Sequence, residues 1–416
     1  MDISTTNNYG SLQVIVTSLT TNRPLSGVLV SISYTGVPDS TLGDFRTDEN
    51  GQTEVITLPA PPESYSLTPE SEQPYAEYTI QVSSPDYEDF EISGVQVLPN
   101  TIALQYVPLI PTIDSPGIGE EVFVIGGHTL YEEYPPKIPE EETKTVAETG
   151  EVVLSRVVIP EYVIVHDGAP SDSSAQNYYV KYKDYIKNVA SSEIYATWSE
   201  AAIQANILAI QSITLNRVYT EWYRNKGYDF TITSSTAYDQ KWIPERNIYE
   251  NISRIVDTIF SNYIARPNLS QPLFTQYCDG KRVSCPNWMR QWESQTLGQN
   301  GYSAIEILRY FYGNNVYIAT AEEISGVPAS WPRTDLTIGS TGDKVMQMQR
   351  QLNVIAGAYP LIPKIAEDGI YGPATAEAVK VFQKVFKLPQ TGSVDFRTWY
   401  KISEIYVGVS RIAELM

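Results

Sequence analysis

Between residues 10 and 108 apolar and polar positions alternate in short bursts: SLQVIVTSL, SGVLVSISY, TEVITL, YTIQVSS and ISGVQVL. Turn-forming stretches such as TNRPLSG, TDENGQ and SSPDYEDF separate them. Period-two patterning with regular punctuation predicts a small antiparallel β-sandwich over residues 1–110. From 111 to 151 the chain turns rich in Pro and Glu, and the part after Pro135 is expected to be a mobile linker open to proteases. An apolar patch inside it, EVFVIGGHTLY (121–131), is expected to dock elsewhere as a strand.

Residues 152–166 read as strands and 178–226 as helical. YKDYIKNVASSEI places Tyr185, Ile186, Val189 and Ala190 on one helical face. A second helix follows, with Thr197 and Glu200 as a capping box and Gly227 as its stop. Ile203, Ile207, Leu208, Ile210, Ile213, Leu215 and Val218 make it apolar on most sides, which predicts burial. A helix over 248–265 and the strand-like QPLFTQYC complete an α+β domain at 152–332. Residues 333–416 pattern as three short helices between Gly/Pro turns, with Val345, Met348, Gln349 and Leu352 sharing one face. The predicted fold class is therefore multidomain: an N-terminal all-β sandwich, a central α+β domain and a C-terminal three-helix domain.

Charge changes this picture. The net charge of -20 sits almost wholly in residues 1–150, with 23 acids and 4 bases, while residues 151–416 carry 26 and 25. Nucleic acid is excluded as a partner, because phosphate binding needs clustered Lys and Arg. No run approaches the roughly 18 apolar residues that span a bilayer, so no membrane partner is expected. MDISTTNNYGSLQV lacks a basic and an apolar leader region, so no secretory signal is expected. The bias of 30 Tyr over 10 Phe suits carbohydrate as well as packed cores.

One carboxylate stands out. In NVASSEIYATW, Glu193 is followed by Ile194, Tyr195 and Trp198, an apolar wall that disfavours the charged form and keeps an acid protonated near neutral pH. A surface or capping role is the commoner fate of a Glu. Tyr238, Gln240, Gln276, Gln291 and Trp292 are candidate cleft residues, since amides and aromatic faces suit acetamido sugars, and each is equally suited to core packing or turn hydrogen bonding. Cys278 and Cys285, in CDGKRVSC, can form a small-loop disulfide or stand as two thiols; as a zinc site they lack two ligands. His128 and His166 are isolated and read as structural, with His166 beside Asp167 the one to test.

Three motifs, GSTGDKVMQMQRQL, DGIYGPATAEAVKVFQ and GSVDFRTW, cover nearly the whole C-terminal module, which resembles the three-helix peptidoglycan-binding domain of wall hydrolases. In that family the groove beside the DGIYG turn holds wall glycopeptide, so the resemblance implies Asp368, Tyr371 and Gly372 as substrate-binding residues, and a structural role for Gln383. The order PLSGVLVSI, TDENGQT and YTIQVSSPDYEDFEI resembles carboxypeptidase-regulatory-like or transthyretin-like domains. YKDYIKNVASSEIYATW, ITSSTAYDQKW, FTQYCDG and MRQWESQTLGQNGYSAIEILRYFYG together resemble the SpoIID/LytB type of lytic transglycosylase, whose catalytic acid falls at Glu193. Tyr195 and Trp198, beside that acid, are also candidate substrate-binding residues. Where that family carries a Gly-His-Gly run, this chain has Ser284-Cys285-Pro286-Asn287-Trp288, so neither a metal nor a cofactor is expected.

The order of all four regions resembles the spore cortex-lytic enzymes of anaerobic spore-formers. That resemblance implies a precursor held in the dormant spore, at the cortex and coat, and activated by a subtilisin-like serine protease that removes the N-terminal region. Its substrate is cortex peptidoglycan, cut between N-acetylmuramic acid and N-acetylglucosamine to 1,6-anhydro products. One carboxyl group suffices for that chemistry, unlike the paired acids of hydrolases. Autoinhibition is expected from the acidic appendage and from steric cover of the cleft by residues 121–131. The alternatives are an N-acetylmuramoyl-L-alanine amidase, which normally needs zinc, and a non-catalytic cortex-binding protein.

Overall fold

The computed structural model describes residues 8–114, 121–144, 154–327 and 330–410. The chain has mixed α/β content with open sheets and a C-terminal helical region. Strands β1 (Asn8–Ser18), β2 (Leu29–Tyr34), β3 (Val37–Arg46), β4 (Ile56–Ala60), β5 (Ala76–Ser83), β6 (Phe90–Val97), β7 (Ile102–Leu109) and β8 (Glu121–Val124), with the short helix α1 (Glu63–Leu67), form the first part. One sheet has the order β7-β1-β4 and gains a strand from the central region, Ile248–Tyr249, beside β7. The other has the order β3-β2-β5-β6-β8.

Alternation explains the burial: Leu12, Val14 and Val16 of β1, Val30 and Ile32 of β2, and Ile80 and Val82 of β5 all point inward and are buried. Both sheets are mixed rather than purely antiparallel. β1 runs parallel to β7, and β8 parallel to β6. Period two reports which face is buried and is blind to strand direction, which is why the expectation fails there. The TDENGQ turn closes as its residues suggest: Asp48 Oδ1 accepts from the Asn50 and Gln52 amides at 2.8 and 3.0 Å. Gly51 sits there at φ 72°, and a β-carbon would lie 2.3 Å from the Val16 carbonyl oxygen.

Five helices dominate the described central region: α2 (Tyr182–Glu193), α3 (Glu200–Tyr219), α4 (Glu250–Ile259), α5 (Gln291–Gln299) and α6 (Ala304–Tyr312). α3 is buried along nearly its whole length. Its cap is Ser199, whose Oγ accepts from the Ala202 amide, and not the Thr197/Glu200 box read from the sequence. Thr197 instead donates to Ser66 Oγ at 2.7 Å. α3 stops at Tyr219, short of Gly227, which ends a separate 3-10 turn at φ 84°. The helix expected over 248–265 is shorter: residues 262–265 form a strand paired with Tyr317–Thr320.

The last helices are α7 (Asp343–Ala356), α8 (Pro373–Val385) and α9 (Phe396–Ser410). Two buried glutamines tie their loops. Gln349 donates to the Ile370 carbonyl at 3.0 Å and accepts from the Gly369 amide at 2.8 Å. Gln383 does the same with Ser393 and Gly392, at 2.9 Å each. This module packs on the back of α2 through a buried ion cluster. Lys187 and Lys183 of α2 meet Asp257 of α4 at 3.0 and 3.3 Å, and Lys183 and Lys401 meet Glu404 of α9.

The mobile linker expected after Pro135 is not observed at residues 136–144, which lie pinned across the central region. Low hydrophobicity disfavours a core, but this stretch is held by ion pairs and amides supplied from elsewhere. The remainder of the expected linker, 145–151, and the surroundings of residue 150 lie outside the described residues.

Candidate functional site

Glu193 is the last residue of α2. Ile194 leaves the helix in an extended conformation, φ -138° and ψ 148°, so the chain turns away and the Glu193 side chain projects beyond the helix end. The helix is fixed by its small and polar buried face: Asn188 holds the Ile243 backbone on both sides, at 2.7 and 3.0 Å, and Arg246 grips the Ser191 carbonyl at 2.6 Å. Glu193 is 2% exposed. Its Oε1 accepts from the Lys241 amide at 2.6 Å, while Oε2 is buried with the Tyr277 hydroxyl as its near polar neighbour and no well-formed hydrogen bond.

A buried carboxyl oxygen without a well-formed hydrogen bond favours the protonated form, because burial costs the anion far more than the acid. Burial accordingly raises the Glu193 pKa, and Lys137, the Lys241 amide, the Tyr277 hydroxyl and the Lys241 ammonium only partly offset it. The group is thus placed to hold a proton where an exposed Glu has lost it, and its Oε2 is the oxygen available to give that proton away.

Glu193 lines a cavity of about 60 Å³ together with Tyr277, Gln291, Thr236, Lys137 and Tyr134. Ligand sites are typically about 300–1,000 Å³, so this one is too small for a sugar. Residues 128–144 close it. His128 is wholly buried, its ring 4.4 Å from that of Tyr195, with Nε2 at 3.3 Å from the Ile194 carbonyl. Thr129 bonds the Ser192 carbonyl through both its amide and its hydroxyl at 3.1 Å. Lys137 donates to the Thr236 carbonyl at 3.3 Å and to that of Asp239.

Further along, Glu140 receives both terminal nitrogens of Arg217 at 3.0 and 2.7 Å, and Glu142 receives Arg266 at 2.9 and 3.0 Å. Burial raises the Glu140 carboxyl, but Arg217 and Lys144 outweigh it and hold it below the ordinary range. The cover extends well past the expected 121–131 patch. Of that patch, β8 joins the N-terminal sheet and 128–131 lie against α2.

The sequence-derived site residues scatter. Gln291 lines the cavity and donates to the Glu193 carbonyl at 3.0 Å. Gln240 is fully buried between Tyr185, Thr214, Ile210 and Tyr277, behind the site rather than in it. Gln276 faces the covering segment, bonding the Glu140 amide at 2.9 Å and the Ile138 carbonyl at 2.8 Å. Tyr238 offers its carbonyl to Arg217.

Tyr195, Trp198 and Trp292 do not wall the carboxyl. They form one aromatic cluster with ring centroids 5.1–6.0 Å apart, and Trp198 donates to the Ser66 carbonyl at 2.9 Å. Adjacent positions after a helix end diverge in direction, so proximity in sequence to Glu193 does not put these rings beside it. The walls come instead from Tyr277, Tyr134, Pro135 and Pro136. Sequence reasoning missed Tyr277, Lys137 and Lys241; a Tyr directly before Cys278 was the available signal for the first.

Cys278 and Cys285 form a disulfide, which shapes the 278–285 loop at one wall of the cavity. Among the described residues no cluster of three His, Cys, Asp or Glu side chains could hold a metal. His166 stacks on Phe230 at 4.5 Å and bonds Asn177 and the Ala169 carbonyl, while Asp167 accepts from Ser234.

In the C-terminal module Asp368 accepts from Gln349 and from the Ile370 amide, holding the DGIYG turn. Tyr371 is fully buried and donates to the Gly392 carbonyl at 2.9 Å, which makes it a structural residue. Gly372 precedes α8 and has open space where a side chain would stand.

Among the described residues no helix is long and apolar enough to cross a membrane. No curated protein matches the chain. Among solved structures it is similar to the Bacillus anthracis TIE protein, at 13% identity over 25% of this chain and 17% of that one, TM-score 0.17. It is also similar to Klebsiella pneumoniae 5-hydroxyisourate hydrolase (16% identity, 24% and 90% covered, TM-score 0.16) and to transthyretin from Sparus aurata (16%, 24% and 89%, 0.16). At these TM-scores the likenesses carry no argument. Residues 341–402 match the profile of the peptidoglycan binding domain family. The C-terminal helical region is therefore a peptidoglycan-binding domain, which makes peptidoglycan a partner of this chain.

Proposed function

We propose that the chain is the precursor of a lytic transglycosylase acting on spore cortex peptidoglycan, of the SleC type, with a SpoIID-like central domain and Glu193 as its acid. The observation that carries this reading is the buried carboxyl at the end of α2, one oxygen fixed by the Lys241 amide and the group facing the small cavity beside the Tyr277 hydroxyl, with burial holding its pKa up. The peptidoglycan-binding domain supplies the polymer on which such an acid acts.

In the proposed reaction Glu193 gives its proton to the glycosidic oxygen as the muramoyl C1–O bond breaks. The resulting carboxylate takes the proton of the C6 hydroxyl, whose oxygen closes on C1. The acid is regenerated and the product carries a 1,6-anhydro ring. No water enters, and no second carboxylate is needed.

The small size of the cavity supports storage as an inactive form, with residues 128–144 as the plug. The proposed activator is a subtilisin-like serine protease cutting near residue 150. The cut removes the N-terminal region, plug included, whose net charge over residues 1–150 is -19 and which repels the carboxylates of the wall. The proposed location is the cortex and coat of the dormant spore. Mass spectrometry of muropeptides released by the processed protein tests this reading. Anhydro-muramoyl products that vanish in Glu193→Gln support it; products that persist in that variant, or cleavage at the peptide instead, overturn it.

A further inference from the structure

Residues 138–144 occupy a groove built to read a peptide. Gln276 bonds the Ile138 carbonyl at 2.8 Å and the Glu140 amide at 2.9 Å, and Gln271 bonds the amide and the carbonyl of Lys144 at 2.9 Å each. The Phe274 amide donates to the Glu142 carbonyl at 2.8 Å. These contacts recognise backbone groups whatever the side chains. Two arginines then select for acid: Arg217 and Arg266 receive Glu140 and Glu142, while Glu141 between them faces solvent. Two inward carboxylates, each paired with an arginine, are what an acidic peptide can present.

The fork of Arg217 is prepared independently of its occupant. Its Nε is fixed to Asp239 at 2.6 Å and its side chain is 0% exposed, so the segment uses only the remaining edge. Losing the segment leaves that edge without an anion, and an uncompensated buried charge is costly.

We propose that this groove is an acidic-peptide subsite that takes the stem peptide of a peptidoglycan strand whose muramoyl sugar lies at Glu193, and that residues 138–144 imitate that peptide. The inference rests on the reading that Glu193 acts on peptidoglycan. Lys137 lines the Glu193 cavity and Glu140 meets Arg217 three residues on, an extended reach of about 10 Å, which the first residues of a stem peptide match. Stem peptides are short, lack a folded structure of their own and carry free carboxylates.

The test uses the full chain with the segment weakened by Glu140→Gln and Glu142→Gln, and the free tetrapeptide L-Ala-γ-D-Glu-diaminopimelate-D-Ala as probe, followed by calorimetry. The double variant is expected to bind the tetrapeptide and the unmodified chain to bind it at least about tenfold more weakly, because its own segment competes. Adding Arg266→Gln or, separately, Gln271→Ala to the double variant weakens binding about tenfold, and a tetrapeptide with amidated carboxyls fails to bind. Equal binding by the unmodified chain, equal binding of the amidated peptide, or no binding by the double variant overturns the proposal. Cleavage of peptide-free glycan by the processed protein separates the two ideas: glycan cut with no tetrapeptide bound sinks this subsite alone, whereas no glycan cut by the processed protein sinks the reading of Glu193 and the assignment of this ligand with it.

Discussion

Glu140→Gln isolates the contact that holds the plug. The Glu140 side chain is 16% exposed and takes two charge-assisted bonds from Arg217 and one from Lys144 at 2.7 Å. Its amide replacement keeps the shape, loses the charge and forces a donor against the guanidinium. Bonds to charged groups contribute about 1.5–3 kcal/mol, and Arg217 keeps Asp239 as a partial anion, so about 2 kcal/mol is the expected loss. That corresponds to roughly a 30-fold rise in the population of the open segment. Native-state hydrogen exchange reads it directly at the Ile138, Glu140, Lys144 and Phe274 amides, all of which donate across this contact. Their exchange should quicken by about that factor while the amides of α3 stay unchanged. Exchange that is unaltered, or that quickens equally in α3, refutes the idea that this ion pair latches a locally opening segment.

Three further outcomes are expected. Because burial raises the Glu193 pKa, the folded chain keeps a proton that the unfolded chain sheds above the ordinary Glu range, and stability falls as pH rises through the raised value; thermal unfolding of Glu193→Gln should match the unmodified chain near about pH 4 and exceed it near about pH 8. Asp257 is pushed up by burial but held down to about 2 by Lys187, Lys183 and Lys401, so its stabilisation is present above the ordinary Asp range and is lost as pH falls from about 4 towards 2. Asp257→Asn should cost about 3 kcal/mol at neutral pH, with quickened exchange in α9 as well as α2, measured by denaturant unfolding and hydrogen exchange. Cys285→Ser should cost about 2 kcal/mol for so short a loop and quicken exchange at the Arg282 and Val283 amides, which bond Asp279 at one wall of the cavity.

Much of this arrangement was legible from residue order. The alternation in SLQVIVTSL and YTIQVSS marks β1 and β5, and the unbroken apolar surface of residues 203–218 marks a buried α3. Glu193 stood out as an acid among apolar neighbours, and its burial and raised pKa agree with that expectation. The neighbours read as its walls were the wrong ones, because Tyr195, Trp198 and Trp292 pack on one another, and Tyr195 on His128. β3 and β7 carry weaker alternation, VPDSTLGDFR and IALQYVPL, and were not singled out. The acidic run at 140–142 reads as solvated until Arg217 and Arg266, each more than 70 positions away, are brought to it by the fold. Long-range charge pairing leaves no local periodic signature, so a pinned segment and a free linker share the same composition.

The proton-shuttle claim is tested most directly by digesting spore peptidoglycan with the processed protein in water enriched in heavy oxygen and weighing the new muramoyl ends. A single acid that closes the sugar's own C6 oxygen onto C1 gives 1,6-anhydro ends free of label. Reducing ends carrying the heavy isotope would mean that water is the nucleophile, and that Glu193 does not do what is proposed for it.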